Sequence, residues 1–163
     1  MNFSSIKEYF YRLQSRCYAL VLLPVMLLIT IYAMQRFANL IFTTEEADLA
    51  FVLKIALPVV AILKLTSVHL VTYFKLKKMR KLKGMGERLD QYASLVTLKM
   101  IAGVFASFFM LVGLALTADQ LFIAFFLLSL LYILVQRPTP SRLSRQLKLK
   151  GDERELILKG ELV

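Results

Sequence analysis

The sequence predicts an all-α integral membrane protein with four transmembrane helices and both termini in the cytoplasm. Three observations carry this reading. Four long apolar runs take up more than half of the 163 residues, and 58% of all residues are hydrophobic, against about 45–50% in soluble domains. The stretches between the runs are short, leaving no room for a soluble domain of about 50 residues or more. The basic residues cluster at alternate ends of the runs.

The elements follow in order. Residues 1–17 place Phe3, Ile6, Tyr9, Phe10 and Leu13 at helical spacing, which reads as a cytoplasmic amphipathic helix lying on the interface with its rings at headgroup depth. The spans of the bundle (residues 18–136) cover about 18–42, 51–74, 92–116 and 121–136. Each is close to the roughly 20 apolar residues that cross a hydrocarbon core of about 30 Å. Pro24 and Pro58, each in a Leu-Pro-Val triplet, remove a backbone donor and should kink the first and second spans. Packing kinks and gating hinges are both consistent with them. The basic connector 75–91 should continue the second helix to about Lys83. Gly84 and Gly86 then stop it, and Glu87 sits in the first turn of the third helix. The fourth run, rich in Leu and carrying Phe122, Phe125 and Phe126, suits a lipid-facing outer helix. Arg137-Pro138-Thr139-Pro140 ends it. In the basic cytoplasmic tail, 137–163, Leu143 and Leu147 share one face of a short amphipathic piece.

Two short echoes raise the idea of two tandem helical hairpins. Lys81-Leu82-Lys83-Gly84 returns as Lys148-Leu149-Lys150-Gly151, and Tyr18-Ala19-Leu20-Val21 resembles Tyr92-Ala93-Ser94-Leu95-Val96. Matches this rich in Lys and Leu also arise by chance.

A net charge of +10 would suggest nucleic acid in a soluble protein. The distribution points elsewhere, and no nucleic acid is expected. All but four of the 21 Lys and Arg precede the first span, lie between the second and third, or follow the fourth. The opposite loops, 43–50 and 117–120, hold Glu45, Glu46, Asp48 and Asp119 and no base. The positive-inside rule therefore puts both termini and the connector in the cytoplasm, facing anionic lipid headgroups. A cell inner (cytoplasmic) membrane is the expected location.

Few residues offer chemistry. Cys17 is the single cysteine, so no internal disulfide or thiol redox pair exists. One histidine, His69, cannot supply paired haem ligands or a histidine metal cluster, and no Gly-rich phosphate loop is present. No Asp or Glu lies within a span, which excludes an intramembrane carboxylate pair and the mechanisms of proton-coupled exporters and rotary-ring hairpins. No catalytic, cofactor-binding or metal site is expected.

The exceptions are basic. Arg36, Lys54, Lys64 and Lys99 lie within or beside spans, and each needs a partner or a route to water, because a charge at the bilayer centre costs at least about 2.5 kcal/mol. Arg36 can reach water beside the first acidic loop, Lys54 lies close to Glu45, Glu46 and Asp48, and the stem of Lys99 can snorkel inward. Lys64, midway along the second span, has the longest route in either direction. At 100° per residue, Lys54, Ala61, Lys64, His69 and Thr72 fall on an arc about 140° wide, which should face the bundle or a partner helix. Lys64 is then neutral, or holds an anion or carbonyls, or meets a carboxylate from another chain. In the third span Gly103, Ser107 and Gly113, with Ala102 and Ala106, form small-residue spacings for close helix packing, within the chain or between copies.

The expectation is a non-catalytic accessory, scaffolding or assembly subunit that meets other membrane subunits or itself. The alternative is an oligomeric small transporter or channel with an anion pathway at Lys64 and His69.

Overall fold

The computed structural model describes residues 6–37, 47–79, 84–149, 151, 155 and 157. Glu45 and Glu46 of the outer loop, the connector residues 80–83, Phe3 and most of the tail beyond 149 lie outside them. Among the described residues all regular structure is helical: α1 (Ile6–Phe37), α2 (Ala47–Met79), α3 (Met85–Thr117), α4 (Leu121–Val135) and α5 (Pro140–Leu147). Helices α1, α2 and α3 are each long and apolar enough to cross a membrane. Helix α4 joins them as a fourth candidate when taken with α5, across a break bent by 77°.

The breaks have local causes. Gly84, in an extended conformation, precedes α3, and Glu87 sits in its first turn. Ala118 ends α3 in the left-handed region, with φ 52°, and its N–H donates to the Leu114 carbonyl at 2.9 Å. At the lower end of α4, Pro138 and Pro140 prevent continuation. The Thr139 hydroxyl then accepts the Arg142 N–H at 3.3 Å to start α5. The Arg142 guanidinium reaches back to the Val135 carbonyl and to Gln136, which fastens the bend. Pro24 and Pro58 lie inside helices that run on past them, and both are buried.

Helix α3 is the axis of the bundle. It packs along α1, α2 and α4, and no two of those three pack comparably on each other. Half of the apolar window of α3 is buried, against 11% for α1 and 11% for α2. The packing therefore does not divide into two equivalent hairpins. Helices α3 and α4 form one, but α1 lies on α3 and not on α2.

Two cores hold the helices. The upper one joins Ala106, Met110 and Leu114 to Phe122 and Phe126 of α4, with Ala61 of α2. The lower one gathers Tyr9, Leu13, Tyr92 and Met100 with Leu143 and Leu147 of α5. Two of the rings expected at headgroup depth, Tyr9 and Phe10, are instead buried here, and the Tyr9 hydroxyl donates to the Leu89 carbonyl at 2.8 Å. Helix α3 gives that apolar face its protein partner, and Leu143 and Leu147 of α5 join the same cluster. Gln14 donates to the Pro138 carbonyl at 3.2 Å, and Arg137 lies 5.3 Å from the Tyr18 ring, so the start of α1 is tied to the end of α4.

Candidate functional site

The small residues of α3 serve α4. A Cβ at Gly103 would collide with Ile133, and one at Gly113 with the Phe122 ring. Between them the Ser107 and Ser129 hydroxyl oxygens lie 2.7 Å apart, one donating to the other, in a fully buried pair. Without side chains at the glycines the backbones approach closely, and the hydroxyl that accepts across the seam donates in turn to a carbonyl of its own helix, that of Gly103 for Ser107 or of Phe126 for Ser129. Helix α4 is thus two-faced. Phe122, Phe126, Ser129 and Ile133 recur near helical spacing and are buried, while Leu127, Leu128, Leu131 and Val135 are exposed.

The polar stripe of α2 divides at this same packing surface. Ala61 and Thr72 are buried against the bundle, and the Thr72 hydroxyl donates to the Val68 carbonyl one turn back at 2.7 Å. Lys54, on the same line, forms an ion pair with Asp119 at 2.7 Å. At 100° per residue, Lys54, Ala61 and Thr72 lie within about 20° of each other. Lys64 and His69 fall on opposite borders of that line, about 140° apart, and both are exposed. The stripe is therefore a buried centre with two ionisable edges, one on the α1 side of α2 and one on the α4 side.

Asp119 was not foreseen as the partner of Lys54, for which the neighbouring acids 45, 46 and 48 were the candidates. The Lys54 ammonium, with help from the Leu121 N–H at 2.9 Å, holds the Asp119 carboxyl below the usual carboxylate range. The pair ties the upper end of α2 to the α3–α4 turn. Arg36, exposed in the last turn of α1, has a favourable place at a helix C-terminus. Lys99 is only 8% exposed, so its stem does not reach water as a snorkelling lysine would.

Lys64 sits next to the midpoint of the 33-residue α2. Its ammonium lies 4.4 Å from the centre of the Phe105 ring and 5.7 Å from that of Phe109, one turn apart on α3. Such contacts are worth about 0.5–1 kcal/mol when exposed and about 2 when desolvated. A lysine at the centre of a membrane helix costs about 2.5–3.5 kcal/mol. The rings therefore offset part of the penalty and leave a remainder. Among the described residues Lys64 has no ion pair.

Lys64 also overlooks a groove. Because α1 and α2 pack on α3 but not on one another, one face of α3 is left open between them, carrying Ser94, Ile101, Phe105 and Phe108. The groove's lower end is a cleft of about 530 Å³ with Arg16 of α1 and Lys75 of α2 on its walls and Ser94 and Thr97 on its floor. Phe105 lies about 16 Å higher along α3 than Ser94. On the other side, α2, α3 and α4 enclose a smaller apolar crevice of about 170 Å³, lined by Pro58, Ala61, Met110 and Tyr132. No group of three or more His, Cys, Asp or Glu side chains among the described residues is placed to hold a metal ion. No known protein family, curated protein or solved structure matches the chain.

Proposed function

We propose that this chain is a non-catalytic subunit of a membrane complex that docks a helix of another membrane protein in the groove between α1 and α2. In this reading four spans cross a bacterial inner membrane, with both termini and the connector in the cytoplasm, which the distribution of basic residues supports. The observation that carries the proposal is Lys64. It is an exposed cation at mid-span, on the open face of the bundle, with two aromatic rings beside it and no ion-pair partner among the described residues. A partner helix bearing Asp or Glu at that depth would supply the missing charge, and its apolar face would cover Ile101, Phe105 and Phe108. The weakly buried α1 and α2 supply the walls.

The alternative, an oligomeric transporter with an anion pathway at Lys64 and His69, needs both residues on one route. Their positions on opposite borders of α2 weigh against it.

The test is purification from native membranes in mild detergent. The wild-type chain should carry a second membrane protein in fixed stoichiometry, and Lys64→Met should release it while Lys54→Met should not. Lys64→Glu should regain the partner only when the partner's acid is exchanged for Lys. Recovery of the wild-type chain as a lone monomer would overturn the proposal.

A further inference from the structure

A second basic site stands apart from the groove, at the elbow between α4 and α5. It is a cleft of about 780 Å³ whose polar lining is Thr139, Ser141, Ser144, Arg142, Arg145 and Lys148, and none of its lining residues is acidic. Among the described residues, Arg145 and Lys148 have no ion-pair partner, while Arg142 is engaged with the end of α4. Three like charges brought to one cleft, with no acid among the lining residues, are a setting that an anion stabilises.

The surroundings select the kind of anion. The 77° bend turns α5 across the lower end of α4, so Leu143 and Leu147 enter the lower core while the cationic side stays open. Val135 of α4 also lines the cleft and is 66% exposed, and Leu131, one turn away on the same face, is exposed too. A ligand here would meet hydroxyls and cations at one end and a bare leucine and valine face immediately beside them. That is the profile of a lipid at the level of its headgroup.

We infer that the α4–α5 elbow is a binding site for one anionic phospholipid, its phosphate held by Arg145 and Lys148 with the hydroxyls of Ser141 and Thr139, and an acyl chain laid over Val135 and Leu131. The site is independent of the groove between α1 and α2, and does not require a partner there.

The test uses the full chain in nanodiscs of phosphatidylcholine containing a minor fraction of phosphatidylglycerol, followed by mild release and native mass spectrometry. Wild type should retain one phosphatidylglycerol per chain. Arg145→Ala with Lys148→Ala should weaken retention roughly 30-fold, about fivefold for each cation at an anionic surface. Ser141→Glu should also weaken it. Lys77→Ala with Lys78→Ala removes the same charge from exposed positions on α2 that do not line the cleft, and should leave retention unchanged. Circular dichroism confirms that each variant keeps the helix content of wild type. Equal losses in both double variants would reduce the site to surface charge, and no loss in either would show that the cations hold no lipid; either result would overturn the inference. Displacement of the lipid by millimolar inorganic phosphate would overturn the assignment to a lipid.

Discussion

The two sides of α3 solve opposite problems. Toward α4 the packing closes, with glycines where Ile133 and Phe122 intrude and a buried pair of hydroxyls between them. Toward the space between α1 and α2, the same helix stays open, displays large side chains at Phe105 and Phe108, and faces a lysine that aromatic rings satisfy only in part. In lipid, apolar character alone does not bring helices together, because the tails are as apolar as leucine. Small residues and paired polar groups decide which faces meet. Among the described residues the open side has no such paired hydroxyls, and it presents Lys64, the charge on which the proposed docking of a partner helix rests.

The sharpest way to break this comparison is to change one packing residue on each side in turn. Gly113→Leu should force the Phe122 ring aside and destabilise the chain by about 3 kcal/mol or more, measured by unfolding in mixed micelles. Phe108→Leu, on the open side but not one of the rings beside Lys64, should stay within about 0.5 kcal/mol. Equal effects would mean that the two sides are not different in kind. Next in size is Lys64→Met. Removing a mid-span charge recovers about 2.5–3.5 kcal/mol and forfeits about 0.5–2 from the rings, so the isolated chain should become more stable by about 0.5–3 kcal/mol. A loss of stability would show that Lys64 serves the fold and not a partner.

The hydroxyl pair calls for a double-mutant cycle. Ser107→Ala and Ser129→Ala should show a coupling of about 0.6 kcal/mol, the usual size for a hydrogen bond between membrane helices. Zero coupling would reduce the closed side to shape alone. The smallest effect belongs to Lys54 and Asp119, which are partly exposed and screened, so about 0.5 kcal/mol is expected. Because the Asp119 carboxyl titrates lower in the folded chain than in the unfolded one, this contribution is present above the ordinary carboxylate range. It should fade as pH falls below about 4, through the folded value. Lys54→Met should flatten that part of the stability–pH curve.

The helices and their breaks were legible in the sequence because hydropathy, glycine and proline act locally. Gly84 before α3, the prolines after α4 and the short helix carrying Leu143 and Leu147 all follow from residues within a few positions. What did not follow was the sidedness of each helix. Hydropathy rates a leucine against lipid and a leucine against protein alike, so α1 and α2 read as equals of α3, although α3 is far more buried. The glycine and serine spacing on α3 pointed to close packing, and the serine in α4 was the one available hint of its partner. The stripe on α2 was visible as an arc, but its centre was not, so Lys64 and His69 seemed to share a surface that in fact separates them. Asp119 was in view as a loop acid, yet its pairing with Lys54 depends on how α2 meets the α3–α4 turn. The basic cleft at the elbow depends on the 77° bend, which proline permits without specifying.

The shortness of α4 bears on the bilayer itself. Fifteen residues rise only about 22 Å, some 8 Å less than an average hydrocarbon layer. On the four-span orientation, the lipids beside this helix must compress to meet it, at a fraction of a kcal/mol for each ångström of mismatch. Such a local pinch favours thin membranes over thick ones, and draws together proteins that distort the bilayer in the same sense.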